Sequence, residues 1–194
     1  KGTRFQNSTV PKHLIEILGI PVIIWTIKNI IDSKIFSKII IVSSSENINI
    51  TKIEVEKFFI ESKDFFEFVI GSDSRMGSFL NGLKNYEDSM SSEDAIISLF
   101  DANRPFFNKD QMLDLYESSV AHGCSCPGRA VTNGVAKIDN NKIIEVPSKE
   151  DYIEFVTPEF MKYSLIKKSM SHSIKRKKCF VEYALSLKIN PIIS

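Results

Sequence analysis

Three short clusters hold the side chains that could do chemistry. The first is Gly2-Thr3-Arg4-Phe5 followed by Pro11-Lys12. Glycine frees backbone amides there, and two cations, Arg4 and Lys12, share one loop, which is a phosphate cradle. Read alone, such a loop is usually an ordinary solvated one. The second, Gly71-Ser72-Asp73-Ser74-Arg75-Met76-Gly77-Ser78, runs from an apolar stretch into a segment containing Gly82-Leu83. Asp73 and Ser78 at such a junction can hydrogen-bond a base or ribose, while a plain turn with Ser78 capping a helix explains the same letters. The third, Phe100-Asp101-Ala102-Asn103-Arg104-Pro105-Phe106, follows an apolar run. Asp101 at a strand's carboxyl end suits Mg²⁺, which prefers one or two carboxylates plus phosphate oxygens, and Arg104 suits an anionic partner. The competing reading is an Asp-Arg pair fixing a turn before proline.

Something must hold these clusters in place, and the apolar spacing says what. Pro21 to Ser33 is apolar on more than one helical face and begins with a proline suited to a first turn, so a largely buried helix is expected. Ile39 to Val42, closed by three serines, reads as a strand buried on both faces, which implies a parallel sheet. The mixed-charge stretch 50–63 then reads as helix, Phe66 to Ile70 as strand, Ser78 to Tyr86 as helix and Ala95 to Phe100 as strand. Asn108 to Val120 reads as a capped helix. This alternation predicts an α/β, Rossmann-like, doubly wound and mostly parallel sheet whose ligand sits at the strand carboxyl ends. After Cys126 the pattern changes. Arg129 to Lys137, a turn at Asp139-Asn140-Asn141 and Lys142 to Val146 predict a β-hairpin, within an arm over 129–149 that packs against a partner.

Composition narrows the classes. A chain of 194 residues fits one domain over 1–194, and 43% hydrophobic with 25% charged residues excludes a disordered chain. A net charge of +1 supplies no field for nucleic acid or an anionic membrane. The run Ser173 to Lys178 is basic, yet such a cluster on a neutral chain is usually a solvated face, so no nucleic-acid partner is expected. No apolar run reaches the roughly 20 residues that span a bilayer, so no membrane segment is expected either. Three cysteines are too few for a disulfide scaffold and fit a reducing, cytoplasmic setting. His122, Cys124 and Cys126 lie close together, but no second pair with zinc spacing follows, so core or strand cysteines are expected; Trp25 and the phenylalanines read as core. Because the chain opens on Lys1 in a polar stretch, preceding residues are expected to be missing.

In this order the clusters resemble one family, the cytidylyltransferases acting on methylerythritol 4-phosphate and ribitol 5-phosphate. That family shows Gly-x-Arg-Met/Phe, Pro-Lys, Asp-x-Arg-x-x-Ser-Val-x-x-Gly-Leu, Asp-Ala-Ala-Arg-Pro and Thr-Pro-Gln-x-Phe. This chain offers Gly2 to Phe5, Pro11-Lys12, Asp73 to Leu83, Asp101 to Pro105 and Thr157-Pro158-Glu159-Phe160. The resemblance implies transfer of CMP from CTP to a phosphorylated small-molecule acceptor, with release of pyrophosphate. It implies Arg4 and Lys12 as the catalytic cations, Gly2, Thr3, Gly71, Asp73, Ser78 and Ala102 around the nucleotide, and Asp101 on Mg²⁺. Arg104, Lys149, Lys175 and Arg176 fall to the acceptor, with Lys149 reaching a second subunit of a homodimer through the arm.

Some positions depart from the family. Its arm Asp-Thr is Asn133-Gly134 here, its arm arginine is Lys149, and its Thr-Asp near the last helix is Lys175-Arg176. Lys and Arg seek phosphate or carboxylate where Asp and Thr bind polyol hydroxyls. The expected acceptor therefore differs from methylerythritol phosphate, and the expected product is a CDP-linked precursor for surface polysaccharide. The alternatives are the methylerythritol phosphate reaction of isoprenoid synthesis, and a nucleotide-binding regulatory protein without turnover. Against the family pattern, the first strand, most of the glycine loop and a closing Asn-x-Lys segment are missing.

Overall fold

The computed structural model describes residues 10–89, 92–170 and 179–193. A 3-10 turn, Lys12–Leu14, leads into a small antiparallel ribbon of β1 (Glu16–Ile17) and β2 (Ile20–Pro21). The ribbon reverses through Leu18 and Gly19, both at positive φ, the geometry that tight hairpin turns require. Helix α1 (Val22–Ser33) follows directly, with Val22, Ile23, Ile24, Ile27 and Ile30 buried. Pro21 stands at its N-cap, one place before the expected first turn. Lys34 in the left-handed region ends the helix.

Next come β3 (Ile39–Ser43), α2 (Ile48–Phe58), a 3-10 stretch (Ile60–Phe65) and β4 (Phe66–Ile70). β3 and β4 pair in parallel from Ile39 opposite Phe66 to Ser43 opposite Ile70, so α2 is the crossover of a β-α-β unit. Helix α3 (Arg75–Ser89) packs on both strands. Strand β5 (Ile96–Leu99) precedes α4 (Lys109–His122), which opens on a full capping box: Asn108 accepts from the Gln111 amide while the Gln111 side chain accepts from the Asn108 amide. Gly123, at φ +93, turns the chain into β6 (Cys124–Cys126).

The remaining elements are β7 (Gly128–Ala130), β8 (Lys137–Asp139), β9 (Lys142–Glu145), a 3-10 turn (Lys149–Asp151), β10 (Ile153–Phe155), β11 (Glu159–Lys162), α5 (Tyr163–Met170), α6 (Phe180–Ser186) and β12 (Ile192–Ile193). A four-stranded sheet runs β12-β6-β11-β5. β11 is antiparallel to both β5 and β6, and β12 is parallel to β6. The four-stranded sheet is thus mixed, with two antiparallel pairings and one parallel, where a mostly parallel one was expected. Among the described residues, β3 pairs with β4 alone and β5 with β11 alone.

Two apolar clusters hold these layers together. Ile41 belongs to one with Leu14, Ile23, Ile27, Val55 and Phe66; Ile40 packs on the other, with Phe79, Leu83, Met161, Phe180 and Tyr183. Successive strand residues point to opposite faces, so α1 and α2 cover one side of β3 and α3 the other.

Three local expectations need correction. The hairpin is smaller than the 129–149 pattern suggested: Arg129 lies in β7, paired with β10 and ion-paired to Glu154 opposite, while only β8 and β9 form the ribbon around Asn140-Asn141. Helix α3 begins at Arg75, three residues before the expected cap at Ser78. Finally, β3 is only partly covered, Ile41 being its one buried residue. Among the described residues, no helix is long and apolar enough to cross a membrane.

Candidate active site

The loop after β5 carries Asp101. Its backbone carbonyl accepts from the Arg104 amide at 3.0 Å, closing a tight turn, and Ala102 is tied to α1 where the Thr26 hydroxyl donates to its carbonyl at 3.0 Å. The turn is pinned again where Asn29 donates to the Pro105 carbonyl. A site on this loop is therefore held by α1, an element with which it shares no sequence proximity.

Asp101 gathers three partners on its side chain. Arg104 Nε lies 3.3 Å from Oδ2, Thr157 Oγ1 donates to the same oxygen at 3.1 Å, and Arg75 Nη2 lies 3.5 Å from Oδ1. The side chain keeps 30% of its exposure, enough to meet a ligand. The turn-fixing reading of the Asp-Arg pair is therefore realised, while the carboxylate still faces solvent.

Arg75 Nη2 also lies 3.6 Å from Glu159 Oε1. Glu159 is 2% exposed, and no other Asp, Glu, Lys or Arg among the described residues is buried. Its Oε2 accepts the backbone N–H of Phe180 at 2.7 Å and of Val181 at 3.3 Å, the start of α6. Burial pushes its pKa upward, while the Val181 amide, Arg75 and the Phe180 amide pull against that rise. Arg75, Thr157 and Glu159 all lay within motifs legible in the sequence, yet nothing in their spacing assigned them to one cluster. The one available signal was a charged residue set immediately before the apolar pair Phe160-Met161.

In the loop after β4, a clasp at Ser78 replaces the helix cap expected there. Ser78 Oγ accepts from the Ser72 amide at 3.0 Å and donates to the Ser72 carbonyl at 3.2 Å, so it clasps the loop and does not cap the helix. Ser74 does the capping, accepting the Gly77 amide at 2.9 Å. Gly71 is required by this clasp, since a Cβ there would stand 2.7 Å from Ser78 Oγ. Asp73 is exposed on the bend between them.

A cavity of about 690 Å³ opens between β3 and β5. Its walls are apolar strand and helix residues, and Arg75, Ser78, Asp101 and Ala102 line it as well, so the second and third clusters converge. His13 also lines it, which sets Lys12 one residue from the same space. Lys149 sits exposed on its 3-10 turn beyond β9, and no interaction among the described residues joins it to Asp101. Gly2, Thr3, Arg4, Lys175 and Arg176 lie outside the described residues.

The expected fate of the cysteines holds. Cys124 and Cys126 lie in β6 and Cys179 just before α6, all buried and unpaired. Burial pushes the Cys124 thiol up to about 12 and Cys126 to about 11. Among the described residues, no group of three or more His, Cys, Asp or Glu side chains could hold a metal.

The family profile described as "IspD: 2-C-methyl-D-erythritol 4-phosphate cytidylyltransferase" matches residues 1–184. The chain belongs to that family. It is thereby a CTP-dependent nucleotidyltransferase. A 2-C-methyl-D-erythritol 4-phosphate cytidylyltransferase from Clostridium botulinum is 30% identical over 168 residues, covering 86% of this chain and 71% of the relative. One from Thermosipho africanus is 31% identical over 170 residues, covering 87% and 72%. The fold is shared with the crystal structure of 4-diphosphocytidyl-2C-methyl-D-erythritol synthase from Anaerococcus prevotii, at TM-score 0.76 and 18% identity over 96% of this chain and 82% of that one. The Francisella tularensis IspD structure gives TM-score 0.77 at 18% identity over 95% and 83%. These relatives lend no support to a surface-polysaccharide precursor; the isoprenoid-pathway alternative fits them better.

Proposed function

We propose that this chain transfers CMP from CTP to 2-C-methyl-D-erythritol 4-phosphate, releasing pyrophosphate. The observation that carries the reading is the convergence of Asp101, Arg75, Ser78 and Ala102 on one cavity, in a chain whose curated relatives bear that activity in their names. In this reading the sheet is doubly wound, and the loops at its strand ends form the nucleotide site.

The acceptor's phosphate oxygen attacks the α-phosphorus of CTP in line, and pyrophosphate leaves. Such a transfer needs charge compensation and alignment more than covalent help. Arg4 and Lys12 supply positive charge at the α-phosphate. Gly2 and Thr3 offer backbone amides to the phosphates, and Asp73 with Ala102 meets the cytidine. Gly71 and Ser78 hold the loop that presents Asp73, because the Ser78 hydroxyl is committed to Ser72.

The donor set tests the metal. One half-exposed carboxylate is too little to cage an ion by itself, but it fits Mg²⁺, which takes one or two carboxylates and draws its other ligands from phosphates and water. Asp101 would hold that Mg²⁺, which when bound supplies charge neutralisation along the triphosphate. Arg104 stands beside Asp101 to orient the acceptor.

The arm belongs to a homodimer in this reading. Ile138, Ile143, Ile144 and Val146 are all exposed on β8, β9 and the residue that follows, an apolar strip that a second subunit would cover. Lys149, Lys175 and Arg176 then complete the acceptor site. The test is pyrophosphate release from CTP and Mg²⁺ with a panel of phosphate esters. Methylerythritol phosphate as the preferred acceptor supports the reading. Preference for a more anionic ester favours the second reading, which Asn133-Gly134 and Lys149 in place of the family's residues motivate. CTP binding with no turnover on any ester favours a regulatory binder.

A further inference from the structure

One guanidinium nitrogen serves two carboxylates. Arg75 Nη2 stands 3.5 Å from Asp101 Oδ1 and 3.6 Å from Glu159 Oε1, so neither acid holds the cation alone. The other oxygens are committed elsewhere: Asp101 Oδ2 to Thr157 and Arg104, and Glu159 Oε2 to the first two amides of α6. The result is a continuous relay from the start of α6 through Glu159 and Arg75 to Asp101.

Glu159 has to be a carboxylate for this relay to work. Each of its side-chain oxygens meets a donor, Arg75 on one and the α6 amides on the other, and an amide in its place would turn an NH₂ group toward one of them. A buried carboxylate is costly unless paired, and here the pairing is shared with a solvent-facing acid in the candidate site. We propose that Glu159 is a positioning residue that draws part of the Arg75 charge away from Asp101, leaving Asp101 free to take a divalent cation with CTP. This rests on the reading of Asp101 as the metal carboxylate. Without Glu159 more of the Arg75 charge falls on Asp101 and competes with the ion; without Arg75 the identity of residue 159 ceases to matter to the metal.

The experiment uses Mn²⁺ as a probe visible by electron paramagnetic resonance, titrated into the protein with CTP present and no acceptor. E159Q is expected to weaken Mn²⁺ binding about threefold to tenfold, the range typical of coupling between neighbouring charges, while its circular dichroism matches the parent. In an R75M background the same change is expected to shift Mn²⁺ binding by less than about twofold. A response to E159Q that persists in R75M, or no response in either background, overturns the proposal. Should E159Q fail to fold, R75M alone decides: tighter Mn²⁺ binding supports the competition, and unchanged or weaker binding overturns it. D101N separates the two levels. If D101N leaves Mn²⁺ binding unchanged, the metal reading fails and takes this one with it. Binding lost in D101N but indifferent to E159Q sinks only the role of Glu159. Neither outcome depends on which acceptor the enzyme uses.

Discussion

Asp101 and Glu159 face the same arginine, and solvent divides them: one keeps 30% of its side chain exposed, whereas the other is 2% exposed and spends an oxygen on α6. In the proposed reaction Lys12 supplies charge at the α-phosphate from one residue before the cavity-lining His13. Lys12→Ala is expected to lower kcat by about 100-fold to 1000-fold, the scale of losing one charge-stabilising donor, with CTP affinity changed far less. Equal losses in rate and affinity, measured by steady-state kinetics and calorimetry, would contradict that role. The thiols make a second residue-scale prediction. Since the thiolate is the reactive form, Cys124 near 12 and Cys126 near 11 should resist iodoacetamide at about pH 8 until denaturant is added. Mass spectrometry showing rapid alkylation of the native chain would refute this.

At the scale of elements, the 3-10 turn before β1 and the start of α4 carry separable contributions. His13 exchanges a hydrogen bond with Thr51 Oγ1 at 2.8 Å, and burial lowers its pKa below 6.5. The unfolded chain then binds the proton more readily than the folded one. Stability contributed by neutral His13 is present above about pH 6.5 and declines as the pH drops through that value toward the lower folded one. Between about pH 7.5 and about pH 5.5, the melting temperature of the parent should fall more than that of His13→Gln; parallel curves would exclude the effect. At α4, Asn108→Ala removes one half of a reciprocal cap and should cost about 1 kcal/mol by chemical denaturation. The α4 cap was readable as Asn108 before an amphipathic run. The α3 start was not, because Ser74 and Ser78 are the same residue type, and only the fold brings Ser78 back onto Ser72.

For the whole molecule, the dimer makes the sharpest claim. If Lys149 serves the neighbour's site, mixing inactive Lys12→Ala and Lys149→Ala subunits in equal amounts should restore about one quarter of parental activity. Half the dimers are then mixed, and each has one intact site. A Lys149 acting within its own subunit gives no recovery. The exposed isoleucines of β8 and β9 should become protected in the dimer, which hydrogen exchange can follow.

Local spacing alone revealed α1, β3, β4, β5 and α4, because a buried face imposes its period on the letters, and the ordered motifs revealed the family. Asp101 and Arg104 were legible because three residues apart on a turn they must meet. Tertiary structure alone decided that β11 runs antiparallel between β5 and β6, and thereby brought Glu159 beneath Arg75 and Thr157 beside Asp101. Those contacts join residues some 56 to 84 positions apart, and no local pattern records which distant strand a segment will choose.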